Sequence, residues 1–132
     1  MGLALSIRMA ERLLILDDDD QLARACKEFL SESGYDVDCA LETEEAETLL
    51  THFPYSLVIT DLRLSKLGFG GLEFIRRIRE LSSDTRIIVL SGYKWPEIES
   101  EATSQKIDAF LRKPVRLQDL AETIAMVLGT PV

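Results

Sequence analysis

The sequence predicts an α/β fold, a doubly wound parallel sheet with helices on both faces, and three observations predict it. Short, continuous apolar runs recur at Leu13–Leu16, Leu57–Thr60, Ile87–Leu90 and Ala109–Leu111, the pattern of strands buried on both faces. Stretches with apolar residues at helical spacing lie between them. The two kinds of segment alternate as βαβαβαβαβα, an order that builds a parallel sheet through crossover helices.

Each element has its own signal. Leu13–Leu16 forms the first strand. Leu22, Cys26, Phe29 and Leu30 share one face of the first helix, and Gly34 follows as its C-terminal stop. Tyr35–Cys39 alternates apolar and acidic residues, which suits a strand nearer an edge. The second helix covers Glu44–Thr51, with His52 at its end as a surface residue favoured there by the helix dipole. Leu57–Thr60 is the third strand, Leu72–Leu81 the third helix and Ile87–Leu90 the fourth strand. Pro96 suits the first turn of a fourth helix reaching about Gln105, and Trp95 before it packs on the loop or serves a partner face. Ala109–Leu111 is the fifth strand. Arg116–Leu128 is the last helix, with Leu117, Leu120, Ile124 and Val127 on one stripe.

A chain of 132 residues is the size of one ordinary domain. The expected organisation is a leader over 1–11, a domain over 12–129 and a tail over 130–132. A composition of 46% hydrophobic and 29% charged residues is that of a globular chain rather than a disordered one. The net charge of -8 argues against a nucleic-acid surface, which needs clustered Lys and Arg. Cys26 and Cys39 have no C-x-x-C spacing and read as reduced, packed small hydrophobes. The opening MGLALSIRMAER is too short and too broken by charge for a signal peptide or membrane span. A cytoplasmic protein without membrane contact is expected.

In a doubly wound sheet, sites gather at the carboxyl ends of the strands. The first strand ends in Asp17 and Asp18, the third in Asp61, the fourth in Ser91 and Gly92, and the fifth in Lys113 and Pro114. Three carboxylates, a hydroxyl and an ammonium therefore converge at one edge. Hard oxygen ligands around a small pocket suit Mg²⁺, which binds carboxylates together with phosphate. Asp19 and Asp20 continue the acidic run into the first helix, where carboxylates favour the positive end of the dipole.

The segments LLILDDDDQL, LVITDLRL, IIVLSGY and DAFLRKPV resemble, in order and spacing, the receiver domain of two-component response regulators, of the chemotaxis-regulator-like kind. The resemblance runs from Arg12 to Leu128. It implies a five-stranded sheet of flavodoxin-like order 2-1-3-4-5. It also implies a signalling module whose only activities are self-phosphorylation and self-dephosphorylation. On it Asp61 is the phospho-acceptor, and Asp17, Asp18, Asp61 and the Arg63 backbone carbonyl hold Mg²⁺. Ser91, Gly92 and Lys113 contact the phosphoryl group, Ser91 and Phe110 form the switch, and Pro114 is structural. Arg63 and Tyr93 tune the lifetime of the phosphorylated state. The implied phosphoryl source is a sensor histidine kinase or a histidine phosphotransfer protein. Output passes through the face of the fourth helix, fifth strand and last helix, to an output domain, a target protein or a second copy.

Two departures from the family pattern stand out. Ser65 occupies the usual proline position after Asp61, and LSKLGFGG runs two residues longer than usual, with Phe69 at its tip. Lys106 stands where the family usually has a glycine before the fifth strand, so the preceding helix is expected to end differently or to be loosely held. Two other functions compete. A haloacid-dehalogenase-type phosphatase would share the Asp-x-Asp after a strand, but it needs a late acidic pair, and only Asp108 and Asp119 stand alone there. A phosphorylation-independent interaction domain would keep the fold without using the acidic set.

Overall fold

The computed structural model describes residues 10–61, 70–92, 99–100 and 103–129, with residues 70–72 described as backbone. Its elements are β1 (Arg12–Leu16), α1 (Asp20–Glu32), β2 (Asp36–Ala40), α2 (Thr43–His52), β3 (Leu57–Asp61), α3 (Gly70–Leu81), β4 (Arg86–Ser91), β5 (Ala109–Arg112) and α4 (Leu117–Leu128). The strands form one sheet in the order β2-β1-β3-β4-β5, and every pairing is parallel. This is the expected doubly wound order.

The continuous apolar runs have a simple cause. Successive residues of a strand point to opposite faces, and here both faces are covered. Leu14, Leu16, Val58, Ile87 and Val89 pack with Ala46 of α2 and with Phe74, Ile75 and Ile78 of α3. The intervening Leu13, Ile15, Leu57, Ile59, Ile88 and Leu90 pack with Ala23, Cys26 and Leu30 of α1 and with Leu120 and Ile124 of α4. β5 departs from this expectation. It lies at the sheet edge, and none of its four residues is fully buried.

Local signals end the helices. Asp19 caps α1, its side chain accepting from the Leu22 amide. At the other end the Tyr35 amide bonds the Leu30 carbonyl and the Gly34 amide bonds the Ser31 carbonyl. This Schellman closure puts Gly34 at φ 99, a conformation glycine adopts without strain. His52 is the exposed last residue of α2, as expected. Of the helix expected from Pro96, Glu99–Ser100 and Thr103–Ser104 are helical. Trp95 and Pro96, like Ser65, Phe69, Arg63 and Tyr93, lie outside the described residues. Both cysteines are free thiols, and burial pushes Cys26 up to about 11, with the charges of Asp17 and Cys39 adding to it.

The amino end of the sheet is tied by a polar cluster. Asp38 Oδ2 accepts from the Tyr55 hydroxyl at 2.6 Å and from Arg12 Nε at 3.1 Å. The Arg12 guanidinium also lies 4.0 Å from the centre of the Phe53 ring, a cation–π contact. Burial raises the Tyr55 pKa, and its hydrogen bond to Asp38 and that carboxylate's charge raise it further. A phenol raised in the folded state contributes stability that is complete below its unfolded value and is lost as pH rises through its folded one. In a spectrophotometric alkaline titration Tyr55 should therefore ionise in a late phase, above the ordinary tyrosine range and with alkaline unfolding. Tyr55→Phe should remove that late phase. Ionisation of Tyr55 near pH ~10, the ordinary tyrosine value, would contradict this.

Candidate functional site

Parallel strands bring the expected residues to one edge. Asp17 follows β1 directly and is buried, and its amide bonds the Ala40 carbonyl at the end of β2 at 3.2 Å. Asp61 closes β3 and Ser91 closes β4, both buried. Lys113 follows β5, held to the sheet by its amide to the Ser91 carbonyl at 2.8 Å. The Lys113–Pro114 peptide is cis. Among the described residues, its chain neighbours aside, a Cβ built on Gly92 would meet no atom within 4 Å. Phe110, on β5 beside Val89, is part-buried against the core on the α2 and α3 face.

The four consecutive aspartates divide their work. Asp19 caps α1 and Asp20 pairs with Arg24 at 3.1 Å, so both serve the helix, as expected. Asp17 turns inward. Its Oδ1 accepts from the Asp19 amide at 2.9 Å, and its Oδ2 accepts from Lys113 Nζ at 2.7 Å. The same ammonium donates to Asp61 Oδ2 at 2.8 Å. Asp18 is exposed, yet carboxylate oxygens of Asp17, Asp18 and Asp61 lie within 4.8 Å of one another. No other group of three metal-ligating side chains occurs among the described residues.

The electrostatics follow from burial. Desolvation raises the Asp17 pKa, opposed by hydrogen bonds from Lys113 and the Asp19 amide. For Lys113, desolvation acts to lower the pKa, but the hydrogen bonds and charges of Asp17 and Asp61 outweigh it and leave the ammonium raised. The result is a charged lysine locked between two carboxylates. From the sequence Lys113 is expected as a phosphoryl contact, and its grip on Asp17 and Asp61 is not foreseen. The donors are all hard oxygens, close together and reachable through Asp18, so the set fits Mg²⁺.

The family model for the response regulator receiver domain matches residues 13–125. The chain belongs to this family. Receiver domains are signalling domains of two-component systems, and they typically bind Mg²⁺ in an acidic pocket. Among similar proteins, the regulatory protein VanRB of Enterococcus faecalis is 30% identical over 91% of this chain and 53% of its own length. The receiver protein CpdR of Brucella abortus is 27% identical over 89% of this chain and 97% of its own. The chain thus spans about half of VanRB and nearly all of CpdR. A CheY-like receiver domain from Methanospirillum hungatei superposes with a TM-score of 0.85, at 27% identity, over 92% of this chain and 95% of that one. A Burkholderia pseudomallei response regulator, described with a phosphorylated aspartic acid and a calcium ion, superposes with a TM-score of 0.79, at 26% identity over 90% of this receiver and 69% of that chain.

Removing the shared ammonium should take its charge and one hydrogen bond from both Asp17 and Asp61. Lys113→Met is expected to destabilise the receiver by roughly 1–3 kcal/mol in urea unfolding, less than for a fully buried pair because the lysine is part-exposed. Adding Asp17→Asn should then cost less than it does in the wild type, because the two side chains act as one unit. Additive losses would contradict this coupling.

Proposed function

We propose that this receiver takes a phosphoryl group onto Asp61 from a sensor histidine kinase or a histidine phosphotransfer protein. The observation that carries the proposal is the Lys113 ammonium 2.8 Å from Asp61 Oδ2, with Asp17 and Asp18 alongside. A carboxylate is a competent nucleophile toward phosphorus. One oxygen of Asp61 bonds to the phosphorus as the bond to the donor atom breaks, and an acyl phosphate results. Such a transfer needs positioning and charge neutralisation more than covalent help.

Asp17, Asp18, Asp61 and the Arg63 backbone carbonyl would hold Mg²⁺, which supplies positive charge to the incoming phosphoryl oxygens. Lys113 supplies the second positive charge, passing its hydrogen bond from Asp61 to a phosphoryl oxygen. The buried Ser91 hydroxyl donates to another, and Gly92, which has no side chain, leaves room for the group to enter. The inward pull on Ser91 frees volume for Phe110, and the change spreads along β5 to the surface it shares with α4 and the helical segment before it. Arg63 and Tyr93 tune the lifetime of the acyl phosphate, and Pro114 shapes the turn after Lys113. The phosphorylated aspartate described for the Burkholderia regulator supports this reading. The cytoplasm suits this role, and among the described residues no helix is long and apolar enough to cross a membrane.

Incubation with acetyl phosphate and Mg²⁺ should add one phosphoryl group by intact-mass measurement. Asp61→Asn should abolish the gain, and a chelator should do the same. Labelling that survives Asp61→Asn would place the nucleophile elsewhere. No labelling of the wild type would favour an interaction domain that is never phosphorylated.

A further inference from the structure

β5 leads directly into Lys113, yet it is the least buried strand of the sheet. It is four residues long, lies at the sheet edge and has no fully buried side chain. Its position nevertheless decides the site. A slip of one residue would move Lys113 by about 3.3 Å and turn its side chain to the other face. Hydrogen bonds of 2.7 and 2.8 Å to Asp17 and Asp61 would not survive that.

The entry to β5 has a fastening of its own. The Asp108 amide donates to the Ile87 carbonyl at 2.8 Å, and the Ile87 amide donates back to Asp108 Oδ2 at 2.7 Å. Asp108 thus closes a ring on one residue of β4, one step before the Ile88–Ala109 pair begins the ladder. Asp108 Oδ1 also receives Arg86 Nη1 at 3.4 Å, and Arg79 Nη2 of α3 lies 3.7 Å from Oδ2. Arg79 further donates to the Lys106 carbonyl at 2.7 Å and to the Thr85 carbonyl. Lys106 itself sits at φ 58, in the left-handed region where a non-glycine residue costs about 1 kcal/mol. The cleft of about 720 Å³ around these groups is therefore no vacant anion site, because its Arg79 guanidinium is committed to backbone carbonyls.

We propose that Asp108 is a positioning residue for Lys113: by pinning Ile87 from both sides it sets the register of β5, and Arg79 holds the turn that delivers it. The effect on phosphoryl uptake rests on the function proposed above, while the effect on strand register does not. Two readouts separate them. Losing one ordinary hydrogen bond corresponds to about tenfold in a local opening equilibrium. Asp108→Ala should therefore speed amide exchange at Lys113 about tenfold, whether or not the protein is phosphorylated. Asp108→Asn, which keeps an acceptor for the Ile87 amide, should stay near the wild type.

Initial uptake from acetyl phosphate at saturating Mg²⁺ should fall several-fold in Asp108→Ala, and Asp108→Asn should restore it. In a Lys113→Ala background the Asp108→Ala change should have no further effect on uptake, because the residue it positions is gone. Equal losses in both backgrounds, or unchanged exchange at Lys113, would overturn the proposal. Should Asp108→Ala fail to fold, Asp108→Val, which also lacks an acceptor, carries the same comparison. A wild type that takes up no phosphoryl group would sink the proposed function, and the exchange measurement would still judge the register.

Discussion

One ammonium group between two buried carboxylates is the constraint on which the site depends. Asp17 and Asp61 sit almost wholly inside the protein, where an unpaired charge is expensive. Lys113 reaches both at hydrogen-bond distance. Its own burial would favour losing the proton, but the paired carboxylates reverse that preference. Asp18 adds a third carboxylate to the two that Lys113 bridges, so that among these four side chains the acidic groups are in surplus. An acidic surplus of this kind draws a divalent cation.

The sheet makes that arrangement cheap to hold. β1, β3 and β4 are covered on both faces by apolar side chains, so their carboxyl ends are fixed relative to one another. The fourth contributor, β5, is the weak member, and the polar groups at its two ends do what apolar burial does elsewhere. Asp108 and Arg79 fasten its entry, and the Lys113 amide on the Ser91 carbonyl fastens its exit. The core is thus stiff and its β5 edge lightly packed, and lightly packed elements open locally at a lower free energy than buried ones.

Much of this was legible in the sequence, for identifiable reasons. The runs at Leu13, Leu57 and Ile87 announce themselves because strands buried on both faces cannot alternate in polarity. Asp17, Asp61, Ser91 and Lys113 could be gathered without coordinates, because parallel strands bring their carboxyl ends together. Helix ends were less sharp: α3 begins at Gly70 rather than Leu72, since two glycines give no periodic signal. The order 2-1-3-4-5 already put β5 at the edge, but its apolar AFL run read as buried on both faces and hid its partial exposure. The clamp by Arg79 and Asp108 was invisible, because its partners lie more than twenty residues apart and nothing local marks them. Lys106 looked like a departure that would loosen the turn. It keeps the left-handed conformation, with Arg79 holding its carbonyl.

If Lys113 is the compensating charge of the resting site, it competes with any divalent cation for the same carboxylates. The direct test is calorimetric titration of Mg²⁺ into the wild type and into Lys113→Met at fixed pH and ionic strength. Removing the ammonium deletes a like charge beside the cation and takes one hydrogen-bond donor from each of Asp17 and Asp61, so Mg²⁺ should bind the variant several-fold more tightly even though the metal-free variant is less stable. Unchanged or weaker binding in a variant shown to be folded would contradict the view that Lys113 neutralises this site.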